Sequence, residues 1–181
     1  MKRLLVILFA VMLLGVTRMA QATIWTDSNY ITSGGVGSVG YSYFTLDADS
    51  RTVIQTYTDN FDPYMYLFYD DGSLDSSDCI AFDDDSGVPS GYGWNNSLID
   101  RTLTAGAYIV AVGDFYMSLS EAVSGINDPS SGGVGYGSYT LEVNALNANV
   151  TATAVPEPST LILLSSGLLG LGYFGRKRMK G

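Results

Sequence analysis

The sequence YMYLFY at residues 64–69, followed at once by DDGS at residues 70–73, decides the fold class. An aromatic and aliphatic run of this length, bounded by turn residues, is typical of a strand that is buried on both faces. Other short segments rich in Tyr, Val, Ile, Thr and Phe also favour strands, and they span residues 41–46, 51–58, 79–82, 97–103, 108–112 and 138–143. Short strands between Gly-rich and Asp-rich turns predict an all-β body, an antiparallel β-sandwich or jelly roll, over residues 23–146.

Charge is distributed unevenly along the 181 residues. Between Thr23 and Gly175 only Arg51 and Arg101 are basic, and with 2 basic and 18 acidic residues this stretch has a formal charge of −16. Such a body would be repelled by phosphate, which excludes nucleic acid as a partner. The chain has no His and a single Cys, Cys79, which excludes Ser-His-Asp catalysis, most zinc sites and a disulfide within the chain.

The N-terminal residues 1–22 predict a secretory signal peptide. Lys2 and Arg3 form a charged start, residues 4–16 are an apolar run, and AQA at residues 20–22 supplies small residues at the cleavage positions. An N-terminal signal helix of this kind predicts export, with a mature chain that begins near Thr23.

Three segments follow one another at the C-terminal end. VPEP at residues 155–158 precedes an uncharged apolar run at residues 161–174, and the basic sequence RKRMK follows at residues 176–180. The apolar run predicts a transmembrane helix over about residues 159–175, with the basic residues on the cytoplasmic side. The small residues 147–154 predict a linker between the body and this helix.

The order of Pro156-Glu157-Pro158, apolar helix and basic tail resembles the PEP-CTERM sorting signal of Gram-negative bacteria, here residues 155–181. The resemblance implies processing by an exosortase near the Pro-Glu-Pro sequence. It also implies transient anchoring in the inner membrane, a final place at the cell surface or in the extracellular matrix, and association with exopolysaccharide or biofilm. An ordinary C-terminal membrane anchor is the alternative interpretation of the same residues.

Four stretches of the body also resemble, in order, the motifs of the bacterial pre-peptidase C-terminal (PPC) type domain. They are DPYMYLFYDDG at residues 62–72, DDDSG at 83–87, LTAGAYIVAVG at 103–113 and GSYTLEV at 137–143. Domains of this type are β-sandwiches appended to secreted enzymes. The resemblance therefore implies an accessory module, and some of these modules bind calcium or polymers.

Seven Asp residues lie within 16 positions, and no basic residue lies among them: Asp70, Asp71, Asp75, Asp78, Asp83, Asp84 and Asp85. Ca²⁺ binds about six to eight oxygen ligands and would relieve the repulsion among these carboxylates. We expect Asp70, Asp71, Asp83, Asp84 and Asp85 to be the ligands, with Asp62 and Asp100 as weaker candidates. The spacing does not fit an EF-hand, because Trp94 occupies position 12 counted from Asp83. A solvated acidic loop without metal is the alternative.

Two long Gly-rich loops, residues 86–96 and 115–137, complete the body, which shows no helical periodicity. The first loop contains Tyr92 and Trp94, which we expect to be exposed and to contact carbohydrate. A carbohydrate-active enzyme that uses paired carboxylates is the alternative function, although the sequence singles out no pair. The body contains no Lys or His to act as a base for a Ser nucleophile, so we expect a non-catalytic surface or matrix protein.

Overall fold

The computed structural model describes residues 22–91, 93–127 and 135–153. Nine strands lie within these residues: β1 (Thr23–Ile31), β2 (Gly40–Leu46), β3 (Ser50–Tyr57), β4 (Pro63–Tyr69), β5 (Cys79–Asp83), β6 (Leu98–Leu103), β7 (Gly106–Asp114), β8 (Gly137–Ala145) and β9 (Val150–Ala152). They form a four-stranded sheet in the order β1-β8-β3-β6 and a five-stranded sheet in the order β5-β4-β7-β2-β9. The strand pairings are antiparallel. The predicted all-β antiparallel sandwich is confirmed.

Strand β4 is buried on both faces, as its run of apolar residues predicts. Met65 and Leu67 are fully buried in the core between the sheets. The alternate residues Tyr66 and Phe68 are buried on the opposite face in a second apolar cluster. Side chains that alternate in period two can meet both clusters only if both faces of this sheet are covered.

A short helix, α1 (Leu119–Ser124), covers the outer face of the five-stranded sheet. Ser118 and Glu121 form a capping box at its start, and Gly125 ends it in the left-handed conformation with φ of 78°. The Tyr66 hydroxyl donates to the Met117 carbonyl at 3.1 Å, which ties this segment to β4. The expectation of a helix-free loop over residues 115–137 is therefore wrong. The helix is too short to produce a 3.6-residue period in the sequence.

The prediction that residues 147–154 form a linker is wrong, because the sandwich extends through Ala152. Strand β9 pairs with β2, and Ala148 and Val150 are only 4% and 6% exposed. The Thr153 backbone N–H still donates to the Tyr43 carbonyl at 3.0 Å. The residues are small and mostly polar, so their composition suggested a linker although they complete a sheet edge.

The predicted signal helix and the predicted transmembrane helix lie outside the described residues. In the part of the chain that the structure describes, no helix has the length and apolar character needed to cross a membrane.

We predict that a chain comprising residues 23–146 melts at a lower temperature than one comprising residues 23–153. The shorter chain loses the buried Val150 side chain, worth about 2 kcal/mol, together with the edge pairing of β2. For a domain of this size the melting temperature should fall by about 5–10 °C, measured by circular dichroism. Equal melting temperatures would restore the interpretation of these residues as a linker.

Candidate functional site

The register between β4 and β5 brings three Asp residues to one end of the sandwich. Met65 pairs with Asp83 in these antiparallel strands. Asp62 lies just before β4, and Asp84 and Asp85 lie just after β5, so they meet at the same sheet end. The core packing of β4 therefore holds together carboxylates that are about 22 positions apart in the sequence.

The carboxylates of Asp62, Asp84 and Asp85 form a tight group, which we call the acidic triad. One oxygen from each residue lies within 4.8 Å of the others. The Oδ1 atoms of Asp62 and Asp84 are buried and have no hydrogen-bond partner among the described residues. Buried carboxylate oxygens without a donor are costly, because they lose water and gain nothing in return. The Oδ1 atoms of Asp62 and Asp84 are thus two acceptors that a cation could bind.

Asp114 adds a fourth carboxyl group close to the triad. It pairs with Pro63 at the end of β7, and it is 9% exposed. Its Oδ2 accepts a hydrogen bond from the Gly135 N–H at 2.6 Å. Its negative charge contributes to the electrostatics of Asp62.

Burial and repulsion raise the pKa values of two triad members. Burial, followed by the charges of Asp85 and Asp114, raises the pKa of Asp62 from 3.8 to about 6. Burial, followed by the charges of Asp85, Asp62 and Asp83, raises the pKa of Asp84 from 3.8 to about 6. Desolvation and like charges both disfavour the ionised form of a carboxyl group. At neutral pH the triad therefore stores repulsion that a bound cation would relieve.

The acidic residues predicted as ligands divide between two ends of the sandwich. Asp84 and Asp85 belong to the triad, whereas Asp70 and Asp71 follow β4 at its other end. Eight strand positions separate Asp62 from Asp70, or about 25 Å at about 3.3 Å per residue. Asp70 and Asp71 instead accept backbone N–H groups within their own turn, from Gly72 and Ser73 at 3.1 Å each. The structure does not bring them to the triad.

Asp83 has a different role from its two neighbours. Its Oδ2 accepts the N–H of Leu98 at 2.7 Å and the N–H of Ser86 at 3.0 Å. These bonds connect the end of β5 to the start of β6 across the long loop. Asp85 belongs to the triad and also holds the loop, because its Oδ1 accepts the Asn95 N–H at 3.3 Å.

By sequence alone, Asp62 is a weaker candidate than the five predicted ligands. A single Asp before Pro63 suggests a turn, and nothing in its immediate sequence connects it to Asp84. The pairing of the strand after Asp62 with the strand before Asp84 is the signal that would have connected them. The other weaker candidate, Asp100, accepts the Arg51 Nε–H at 2.8 Å on the exposed sheet surface instead.

Of the two residues predicted to contact carbohydrate, Tyr92 lies outside the described residues. Trp94 is half-buried, and its carbonyl accepts the Ser90 N–H at 2.9 Å within the loop. An isolated bridge between Pro89 and Asn95 shapes the same loop. The described residues on either side of position 92 therefore form a hairpin-like pairing, and Trp94 is half-buried rather than exposed as predicted.

The chain carries a PEP-CTERM protein-sorting motif at residues 154–178. The match begins one residue after Thr153, the last described residue. This motif makes the chain an exported protein that is sorted by an exosortase through a membrane-anchored signal. No curated protein sequence matches the chain.

Solved structures that match the chain do so at low sequence identity and with TM-scores below 0.5. The pre-peptidase C-terminal domain of collagenase from Bacillus anthracis has 16% identity and a TM-score of 0.41, over 69% of this chain and 90% of that domain. The PliG periplasmic inhibitor of g-type lysozyme from Aeromonas hydrophila has 13% identity and a TM-score of 0.40, over 73% and 92%. CorA, a surface-associated copper-binding protein of Methylomicrobium album BG8, has 12% identity and a TM-score of 0.33, over 68% and 92%.

We predict that the Asp84→Asn change removes part of the pH dependence of stability in calcium-free buffer. Because the folded-state pKa of Asp84 is raised to about 6, protonation stabilises the fold fully below about pH 4, and this contribution is lost as pH rises through 6. The amide cannot ionise. The variant should therefore be more stable than the wild type at pH 7.5 and nearly equal to it at pH 3.5, measured by urea unfolding.

Asp71→Asn is the matched control, because Asp71 is an exposed acid at the other end of β4. Its free energy of unfolding should depend on pH as that of the wild type does. Parallel curves for the wild type and Asp84→Asn would show that Asp84 titrates at an ordinary pH and that the triad stores no repulsion.

Proposed function

We propose that the protein is a non-catalytic component of the cell surface or extracellular matrix, released by an exosortase and associated with exopolysaccharide. The observation that carries this proposal is the junction between body and signal. Thr153 is hydrogen-bonded to β2, and only Ala154 and Val155 precede the Pro-Glu-Pro sequence. The described body, a single sandwich, is therefore the part of the protein that sorting would deliver.

Two features of the body support a non-catalytic role. Within the acidic triad, the Oδ1 atoms of Asp62 and Asp84 are buried, which keeps them from a glycosidic oxygen. The body also lacks His and Lys, and its formal charge between Thr23 and Thr153 is −15, from 2 basic and 17 acidic residues. A body this acidic is repelled by anionic lipid headgroups, which favours release into the matrix once the anchor is removed.

The runner-up, a carbohydrate-active enzyme, is supported by the raised pKa values of Asp62 and Asp84. A carboxyl group with a pKa near 6 can act as a general acid near neutral pH. Incubation of the purified protein with a panel of polysaccharides, followed by assay of reducing ends, separates the two functions. Turnover that disappears in Asp84→Asn would establish the enzyme, and binding without turnover would support the matrix protein.

Sorting predicts a mature protein that lacks both ends of the chain. Mass spectrometry of surface material should find Thr23 or a near neighbour as the first residue and no residues beyond about Ser159. Replacement of Pro156 and Pro158 by Ala should leave the precursor in the inner membrane, because these prolines disfavour helix and keep the segment extended for the protease. Replacement of Pro129, which lies outside the sorting motif, is the control and should leave sorting intact.

Recovery of residues 160–181 in released wild-type material would contradict exosortase processing. The C-terminal segment would then be an ordinary membrane anchor.

We also propose that the acidic triad binds Ca²⁺, with carboxylate oxygens from Asp62, Asp84 and Asp85 as ligands. The two buried Oδ1 atoms without a donor fit this ion, because Ca²⁺ takes hard oxygen ligands and tolerates irregular geometry. Water and backbone carbonyls would complete the coordination. The ion would neutralise the repulsion that raises the pKa values of Asp62 and Asp84, and it would join the start of β4 to the loop after β5.

Calcium should raise the melting temperature of the mature protein. Ca²⁺ at about 100 times its dissociation constant adds about 2.7 kcal/mol when it binds only the folded state. Mg²⁺ should do less, because it demands octahedral geometry and loses its water reluctantly. Asp84→Asn should lose most of the calcium effect, whereas Asp71→Asn should retain it.

NaCl at matched ionic strength controls for general screening of the negative body. Equal shifts with CaCl₂ and NaCl would mean that the triad is solvated charge without a specific ion. A calcium effect lost in Asp71→Asn but kept in Asp84→Asn would move the site to the turn after β4.

A further inference from the structure

A groove of about 580 Å³ lies at one end of the four-stranded sheet, and no residue of the triad is among its lining residues. Ser28 of β1, Thr140 of β8 and Tyr57 of β3 stand in one row across three neighbouring strands and line it. Val88 and Pro89 of the long loop after β5 form its other wall. The volume lies within the range of small-molecule sites in proteins.

The lining chemistry is that of hydroxyl and carboxamide groups beside one aromatic ring. Ser28, Thr58, Ser138 and Thr140 contribute hydroxyl groups, and the side chain of Tyr57 is 38% exposed. Among the described lining residues only Asp59 is charged. A Tyr ring offers an apolar face for the C–H side of a sugar ring, and the polar groups offer donors and acceptors for its hydroxyls.

Hydrogen bonds hold the walls of the groove in place before any ligand arrives. Asn60 Nδ2 and Thr58 Oγ1 donate to the Ser138 carbonyl at 2.8 and 2.9 Å. Asn96 accepts the Thr58 N–H at 2.9 Å and donates through Nδ2 to the Val88 carbonyl at 3.1 Å. A site that is rigid in the free protein loses less entropy when it binds a ligand.

Charge decides which ligand class fits. The body has a formal charge of −15 and the groove contains Asp59, so phosphates, nucleotides and uronic acids are repelled. The polar lining does not suit a lipid chain, because burial of unpaired hydroxyl and amide groups against hydrocarbon is costly. An uncharged ligand rich in hydroxyl groups meets both conditions.

We propose that this groove binds an uncharged glycan segment, with the Tyr57 ring stacked on a sugar ring and the row from Ser28 to Thr140 bonded to its hydroxyls. The inference rests on the proposed polysaccharide association and gives it a location. The groove lies on the outer surface of the four-stranded sheet, so a long polymer can enter and leave at its open sides.

The test measures binding of the purified mature protein to three probes: cello-oligosaccharides, dextran oligosaccharides and alginate oligosaccharides of matched length. Isothermal titration should detect at least one neutral probe and no alginate binding at physiological salt. Tyr57→Ala should weaken the neutral probe by about tenfold or more, since loss of a stacked ring removes about 1.4 kcal/mol.

Tyr30→Ala is the matched control, because Tyr30 is a 56% exposed Tyr on β1 outside the groove lining. It should bind as the wild type does, and circular dichroism melts of both variants report whether either has lost its fold. If Tyr57→Ala melts early, Thr140→Ala at the half-buried centre of the row replaces it and should also weaken binding.

The outcomes separate the groove from the wider function. Neutral glycan binding that neither Tyr57→Ala nor Thr140→Ala weakens overturns the groove and leaves the polysaccharide association standing. If neither neutral probe binds, both the groove and the polysaccharide association are overturned. Exosortase sorting is tested separately, by the termini of the mature chain. Tight alginate binding overturns the charge argument.

Discussion

The antiparallel register of β4 against β5 is the constraint on which the acidic end of the sandwich depends. Met65 and Leu67 are fully buried between the sheets, and a shift of one residue would turn them to the other face. The register that buries them also fixes Asp62 beside Asp84 at the strand ends. The hydrophobic core therefore imposes a carboxylate cluster that electrostatics alone would disperse.

The residues that the structure describes supply no counter-charge to this end. Of the two Arg residues in the body, Arg51 forms an ion pair with Asp100 on the exposed sheet, and Arg101 donates to the Ile80 carbonyl at 2.5 Å. Neither guanidinium group belongs to the triad. A cation from outside the protein is thus the natural means of neutralising it, and an exported protein meets Ca²⁺ beyond the membrane. Such an ion would couple the stability of the sandwich to its environment.

The strands with strong apolar patterns were predictable, and those with polar inward positions were not. Strand β1 was missed because Asp27 and Asn29 occupy its inward positions, where they satisfy each other and Ser42 through hydrogen bonds of 2.7–3.3 Å. Such a strand shows no alternation of apolar and polar residues. Strand β9 was missed because its residues are small, so its burial depends on the neighbouring β2 rather than on its own composition.

The candidate sites show the same division. Asp84 and Asp85 could be predicted from local acidity, but Asp62 joins them only through strand pairing. The groove residues come from β1, β3, β8 and a loop, and each is an ordinary polar residue in its own segment. Sites assembled from separate strands have no local sequence signal. The sorting motif could be predicted because its parts are consecutive in the chain.

The most direct test of the account is the titration of the Asp62 and Asp84 carboxyl groups by carbon NMR, with and without Ca²⁺. In calcium-free protein we expect apparent midpoints near pH 6, shared between the coupled groups. Saturating Ca²⁺ should move both midpoints down, because the ion binds only the ionised carboxylates. Midpoints near the ordinary value of 3.8 that Ca²⁺ does not change would contradict the claim that this end of the sandwich stores repulsion for a cation.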